Sequence, residues 1–290
     1  FDFGGSVLDL LKLRASWAQV GHDTSPYRYE EYLNSTAFPQ GVSIPTVKPN
    51  NNLRPETVTS VELGADVHLF QNRLSADVTW YDNKTTDLIA KMPISYSTGM
   101  NYIYTNAGSI SNRGLEVMLQ GSIIRSRDID WNISANWSRN KNSILSLGEN
   151  IDSWIVASYS SVAYMIAYEG GSVTSMYGKG FQRAPEGSYA VGEDGRMTDV
   201  SGMIVCDKFG KPVLDPDLKY IGECAPDWRA GINTQFRYKG MKLSIAFDGQ
   251  HGGHVYSYTN SVLNYRGKGV RTLDGREGGI VANGVQLLPD

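Results

Sequence analysis

His251 and His254 stand three apart in the stretch HGGH, close enough for two imidazoles to share a metal ion. No carboxylate pair accompanies them, so HGGH reads as a loop segment and no metal is expected. The oxygen-rich stretches EDG at 193–195 and DPD at 215–217 invite a calcium reading. Neither offers the spaced set of oxygen ligands that calcium takes, and both read as turns. Cys206 and Cys224 are the only cysteines. A disulfide and two free thiols are both open, but neither residue lies in a CxxC or beside a histidine base, so neither catalysis nor zinc is expected. There is no GxSxG, Walker loop or dinucleotide fingerprint, and 30 scattered acidic residues single out no catalytic pair. The expectation is a protein that is not an enzyme and carries no cofactor.

The better candidates for function are aromatic. Tyr27, Tyr29, Tyr96, Tyr102, Tyr104, Trp154, Tyr159 and Tyr177 lie in irregular stretches, where they could stack on sugar rings or pack against a partner protein. Packing among the loops themselves is the competing reading, because long ordered loops need small cores of their own.

What would position these loops is a set of strands. From Val61 the apolar residues Val61, Leu63, Ala65, Val67 and Leu69 fall on alternate positions, and after Gln71, Asn72 and Arg73 the pattern resumes at Leu74, Ala76, Val78 and Trp80. Alternation puts one set on one face, so this is a two-stranded ribbon with an apolar and a charged side. Similar strands are expected at 9–18, from Leu115 to Leu119, from Trp131 to Trp137, and as a ribbon from Trp228 to Phe247 turning at Lys239 and Gly240. The second strand of the first ribbon is expected to run to about Lys91. The stretches 21–55, 93–106, 148–225 and 249–290 read as irregular. Long and short connections alternate, so all long loops share one side of the sheet and all tight turns the other.

Length separates a membrane barrel from a soluble sandwich. These patterns persist for about ten residues, the span of a tilted strand across a bilayer, against about five or six in soluble sheets. The apolar sets contain no charge, whereas Arg or Lys facing lipid at mid-bilayer costs about 2–4 kcal/mol. The expected lipid-facing residues are Leu63, Val67, Val78, Trp80, Ile133, Trp137, Ile232, Phe236 and Ile245. The expected lumen-facing residues are Glu62, Asp66, Asp77, Glu116, Arg229 and Arg237. Trp17, Trp80, Trp131, Trp228 and Tyr238 are expected near strand ends, as an aromatic girdle. Such a sheet must close in lipid, so the 290 residues are expected to be a piece of a larger barrel. A net charge of −3 and the lack of a basic stripe argue against a nucleic-acid partner. No apolar run reaches the roughly 20 residues of a membrane helix, and no export signal begins at Phe1, as expected of a cytosolic chain or one whose true N-terminus lies upstream.

Several stretches resemble the SusC/RagA family of TonB-dependent outer-membrane transporters of Bacteroidetes. They are LKLRASWAQVG (11–21), NNLRPETVTSVELGAD (51–66), NRLSADVTWYDNKTTDLI (72–89), NAGSISNRGLEV (106–117), APDWRAGINTQFRYKGMKLSIAFDGQHGG (225–253) and REGGIVANGV (276–285), in that order. The resemblance implies an all-β fold, part of an antiparallel transmembrane barrel of about 22 strands with long extracellular loops and short periplasmic turns. On this view 1–290 is a partial receptor barrel in the cell outer membrane, lacking plug, early strands and final strands, and 148–225 is a long extracellular loop within it. The implied activity is TonB-dependent nutrient import, of oligosaccharides or alternatively peptides. The implied partners are a SusD-like surface lipoprotein, the TonB complex reached through the plug, and outer-membrane lipid. A soluble carbohydrate-binding β protein and an outer-membrane enzyme are the rival readings.

Overall fold

The computed structural model describes residues 7–26, 28–30, 32–148, 151–159, 162–192, 194–279 and 284–286. It divides into two units. The first holds a 7-stranded sheet: β1 Leu8–His22, β2 Glu56–Leu69, β3 Leu74–Thr86, β4 Ser109–Arg125, β5 Ile129–Ser146, β6 Pro226–Tyr238 and β7 Met241–Gly252. Every strand pairs antiparallel with its predecessor in this series. The strands are 12 to 18 residues long, well beyond those of ordinary soluble sheets.

The register explains why alternation in the sequence becomes two chemically distinct faces. Ala65 pairs with Leu13 and Val78, Val78 with Val117, Val117 with Trp137, and Trp137 with Ala230, so one apolar row crosses the sheet. One residue further along, Arg14, Gly64, Thr79, Glu116, Ser138, Arg229 and Gln250 form a polar row on the opposite face. A slip of one residue in any pair would mix the two sets.

Tight turns join the strands at one end. Between β2 and β3, Phe70, Gln71 and Asn72 are all left-handed, with φ of 57°, 59° and 59°. The backbone N–H of Asn72 donates to Asp9 Oδ2 at 2.9 Å, and the Asn72 side chain meets His68 Nδ1 at 2.6 Å, holding a conformation that three non-glycine residues resist. Lys239 does the same at the β6–β7 turn, with φ 51°.

The long-connection end carries more structure than the sequence suggests. β3 stops at Thr86 rather than near Lys91, because Asp87 takes a left-handed φ of 54° and turns the chain out of the sheet. Ile89–Pro93 then pairs with Tyr102–Asn106, and Val47–Lys48 adds in parallel, so the stretches 93–106 and 21–55, expected as irregular, each supply one strand of a 3-stranded sheet. Ala90, Met92 and Ala107 form its buried core, with Ile103, Ile151 and Trp154 packed around it. At its base the Asn106 side chain donates to the carbonyls of Arg54 at 2.8 Å and Asp87 at 2.7 Å, and accepts from the Arg54 N–H at 2.9 Å. Gly108 (φ 84°) is required here: a Cβ would lie 1.9 Å from the Ser146 carbonyl oxygen.

The second unit corrects the expectation that 148–225 is irregular. Trp154–Tyr159, Ala163–Ala167, Ser175–Phe181 and Leu214–Glu223 make a 4-stranded sheet, and Tyr189–Val191 with Met197–Asp199 make a hairpin. Ala163, Ile166 and Met176 are buried there. The stretch after 249 is also less irregular than read: β7 continues to Gly252, and helix α1 spans Tyr258–Tyr265, capped by Ser257 Oγ accepting from the Asn260 N–H at 3.2 Å.

Candidate functional site

The polar face of the seven-stranded sheet bears an open recess of about 830 Å³ lined by Asp77, Thr79, Glu116, Asn136, Ser138, Arg229, Asp248 and Gln250. Five strands contribute to it, each offering the polar half of its alternation. Asp77, Glu116 and Arg229, three of the residues expected to face a lumen, come together here. Glu62, Asp66 and Arg237 share the face but lie apart: Asp66 Oδ1 sits 3.1 Å from His68 Nε2, and Arg237 approaches Asp130 at 4.0 Å near the tight-turn end.

Arg14, which the alternation of β1 places on the charged face, also enters this site. It lies on β1, yet its Nη2 donates to Asp77 Oδ1 at 2.8 Å and to Thr79 Oγ1 at 3.2 Å, both on β3. It reaches them by crossing Gly64 of the intervening β2, where a Cβ would stand 2.9 Å from Arg14 Nε. The same device recurs twice. Tyr81 of β3 crosses Gly114 of β4 to donate to Asn140 of β5 at 3.3 Å, and a Cβ on Gly114 would fall 2.2 Å from its ring. Gly231 of β6 leaves room for the Asn136 and Asp248 carbonyl and carboxylate oxygens, which a Cβ would meet at 2.5 and 2.8 Å. A glycine in the polar half of an alternating strand is the signal that could have marked these crossings.

The other face carries all nine residues expected to meet lipid. Leu63 pairs with Trp80, Ile232 with Phe247 and Phe236 with Leu243, and these side chains stand exposed, Leu63 by 51% and Ile232 by 52%. None points into a closed core. Trp131 Nε1 donates to Thr234 Oγ1 at 2.8 Å on this face, satisfying the one polar atom of the indole. Trp131, Trp228 and Tyr238 lie close to strand ends, but Trp80 lies midway along β3. The strand outlasts its apolar pattern, and beyond Trp80 the same face continues as Asp82, paired in register with Arg113.

The expected aromatic contacts are dispersed. Tyr27 lies outside the described residues, as does Glu193 of the EDG stretch. Tyr29 and Tyr96 are exposed, Tyr96 by 78%. Arg28 covers the Tyr104 ring at 4.2 Å, and Lys91 covers Tyr102 at 4.3 Å. Trp154 packs on the small Ala90 core, the loop-packing role. Tyr159 donates to Met165 Sδ at 3.4 Å, and Tyr177 meets Tyr220 edge to face at 5.6 Å. Tyr32, another aromatic of the same loop, donates to Glu30, which raises its phenol pKa.

His251 stacks on Trp228 at 5.7 Å and meets Asp227 Oδ2 at 3.1 Å, while His254 Nδ1 lies 3.3 Å from the Glu223 carbonyl oxygen. Among the described residues, no three His, Cys, Asp or Glu gather to hold a metal. Both cysteines are free thiols. Burial, reinforced by neighbouring Glu223, pushes the Cys224 thiol pKa up. Residues 215–217 lie in the strand Leu214–Glu223 and not in the turn expected of DPD; there the Asp217 N–H donates to the Asp215 carboxylate at 3.0 Å and Lys219 pairs with it at 3.1 Å, which together hold its pKa down.

Residues 5–275 match a family described as TonB dependent receptor-like, beta-barrel. The TonB-dependent receptor P3 of Formosa agariphila is 31% identical over 264 residues, covering 86% of this chain and 26% of that protein. The TonB-dependent receptor SusC of Bacteroides thetaiotaomicron is 24% identical over 272 residues, covering 87% and 26%. Among solved structures, the RagAB peptide transporter superposes with a TM-score of 0.63 at 24% identity, covering 85% of this chain and 27% of that one. The chain thus spans about a quarter of the length of the relatives it matches.

Proposed function

We propose, from the premise that this chain belongs to the TonB-dependent receptor β-barrel family, that the full-length receptor imports an oligosaccharide across the membrane. The chain is an outer-membrane β-barrel segment of SusC type. Its apolar face meets lipid and its polar face lines the lumen. The observation that carries this reading is the seven-stranded register itself, which on β3 and β4 holds uncharged side chains on one face from the tight turns up to Trp80 and Leu115, and the Asp77, Glu116 and Arg229 recess on the other.

The long connections, 148–225 included, lie outside the cell, and the tight turns lie in the periplasm. Exposed Tyr29, Tyr96 and Tyr159 at the long-connection positions support a ligand with flat apolar faces such as a sugar ring. A SusD-like lipoprotein covers this end, and TonB acts through a plug within the barrel. Bond chemistry has no part in this reading, in which the polar recess offers hydrogen bonds and charge to a passing solute.

Peptide import is the second reading, favoured by the fold shared with the RagAB peptide transporter. Growth of a strain lacking the gene distinguishes them. Loss of growth on a glycan with growth on peptides intact supports sugar import, the reverse supports peptide import, and uptake of both unchanged contradicts transport.

A further inference from the structure

The apolar face of the sheet changes character along its strands. Up to the row of Trp80 and Leu115 on β3 and β4 it is uncharged. In the next row Asp82, Arg113 and Lys141 stand in register on β3, β4 and β5, with Arg139 beside Leu115 on β5 and Lys84 one step further along β3. Four cations and one acid thus share three adjacent strands, in a chain whose net charge is −3.

Neighbouring acids do not neutralise this cluster. Arg113 Nε donates to Asp82 Oδ2 at 2.8 Å, and Asp82 also accepts from the Ser111 hydroxyl at 3.2 Å, so the single carboxylate is committed. Lys84, Arg139 and Lys141 are exposed and make no side-chain hydrogen bond or ion pair among the described residues. Arg113 and Lys141 lie directly opposite each other across β4 and β5, a like-charge pairing that disfavours the sheet unless an anion sits between. The cluster begins at the Trp80 row, where Arg139 stands, and its Arg113 and Lys141 row lies about 7 Å further along the strands toward the long connections, next to amphipathic rings that favour the boundary between acyl chains and headgroups.

We infer that Lys84, Arg113, Arg139 and Lys141 form an outward-facing site for the phosphorylated headgroup of a lipid in the outer leaflet. Lipid is the occupant that the place of the cluster selects: phosphate oxygens supply the missing charge while the acyl chains continue down the uncharged face over Val117 and Trp137. This rests on the reading that the apolar face meets lipid.

The test uses the full-length receptor in detergent, titrated calorimetrically with phosphorylated lipid A, with the same lipid dephosphorylated, and with inorganic phosphate. Phosphorylated lipid A should bind about tenfold or more tighter than the dephosphorylated form. The triple variant Lys84→Gln, Arg139→Gln and Lys141→Gln, which keeps the Asp82 to Arg113 pair, should lose that preference. Asp82→Asn, which removes the one acid, should tighten binding. Equal affinity for the two lipids, an unchanged triple variant, or inorganic phosphate binding as tightly as the lipid would overturn the site. A lipid-sensitive fluorophore on Val117→Cys separates the two failures. A lipid signal there with no preference for phosphate rejects only the headgroup site, and an aqueous signal rejects the lipid-facing reading with it.

Discussion

Arg14 and Asp77 belong to strands that are not neighbours, yet their side chains meet at 2.8 Å, because Gly64 between them has no side chain to block the way. The pair fastens three strands together on the polar face. Its exposure, 40% for Arg14 and 38% for Asp77, limits what it contributes to stability to below about 1 kcal/mol. Gly64→Leu should cost more than Arg14→Ala, because it both breaks the pair and forces side chains together in a crowded row. Denaturant titration of the two variants checks the order, and equal losses would show that Gly64 has no role beyond the ion pair.

Charge placed on the two faces should have unequal consequences. Val78→Arg puts a guanidinium on the uncharged face and should destabilise the barrel by about 2–4 kcal/mol, whereas Met118→Arg, on the polar face beside Asp77, should change stability little. Reversible unfolding in lipid vesicles measures both.

Asn106 closes the base of the small sheet through three hydrogen bonds to Arg54 and Asp87. Asn106→Ala should cost about 1–3 kcal/mol. Hydrogen exchange should show the loss at residues 87–93 while the centre of β3 stays protected. Uniform loosening across both would contradict a local clamp.

Much of this was legible in the sequence, for a definite reason. Wherever one face is apolar and the other polar over many residues, as from Val61 to Trp80, the alternation declares both strand and register. Ile89–Pro93 is not legible as a separate strand because it alternates, Ala90 and Met92 inward and Lys91 outward, over only five residues directly after β3, and Ser175–Phe181 because Ser175 and Met176 are both buried at consecutive positions, so its residues do not alternate. The crossing of Gly64 by Arg14 depends on a register between three strands that no local pattern encodes. Trp80 misled because an aromatic girdle was equated with the end of a strand, whereas β3 continues beyond its apolar stretch into the ion-paired row of Asp82 and Arg113.

Acid should loosen the second unit at Asp215. The Asp217 N–H and Lys219 lower its pKa in the folded state, so its contribution is present above the unfolded value of about 3.9 and is lost as pH falls through the lower folded value. Protection of the Asp217 amide should fall over that window in the natural protein. Asp215→Asn, lacking the carboxylate, should show no such pH dependence.

The alternating exposure of neighbouring residues in β3 and β4 is measured most directly by nitroxide labels placed singly at Val78, Thr79, Glu116 and Val117 in the reconstituted full-length receptor. Labels at Val78 and Val117 should relax fast with oxygen, which partitions into acyl chains, and those at Thr79 and Glu116 with a water-soluble nickel chelate. The same accessibility at all four positions, or the reverse alternation, would contradict a sheet with lipid on one face and a watery lumen on the other.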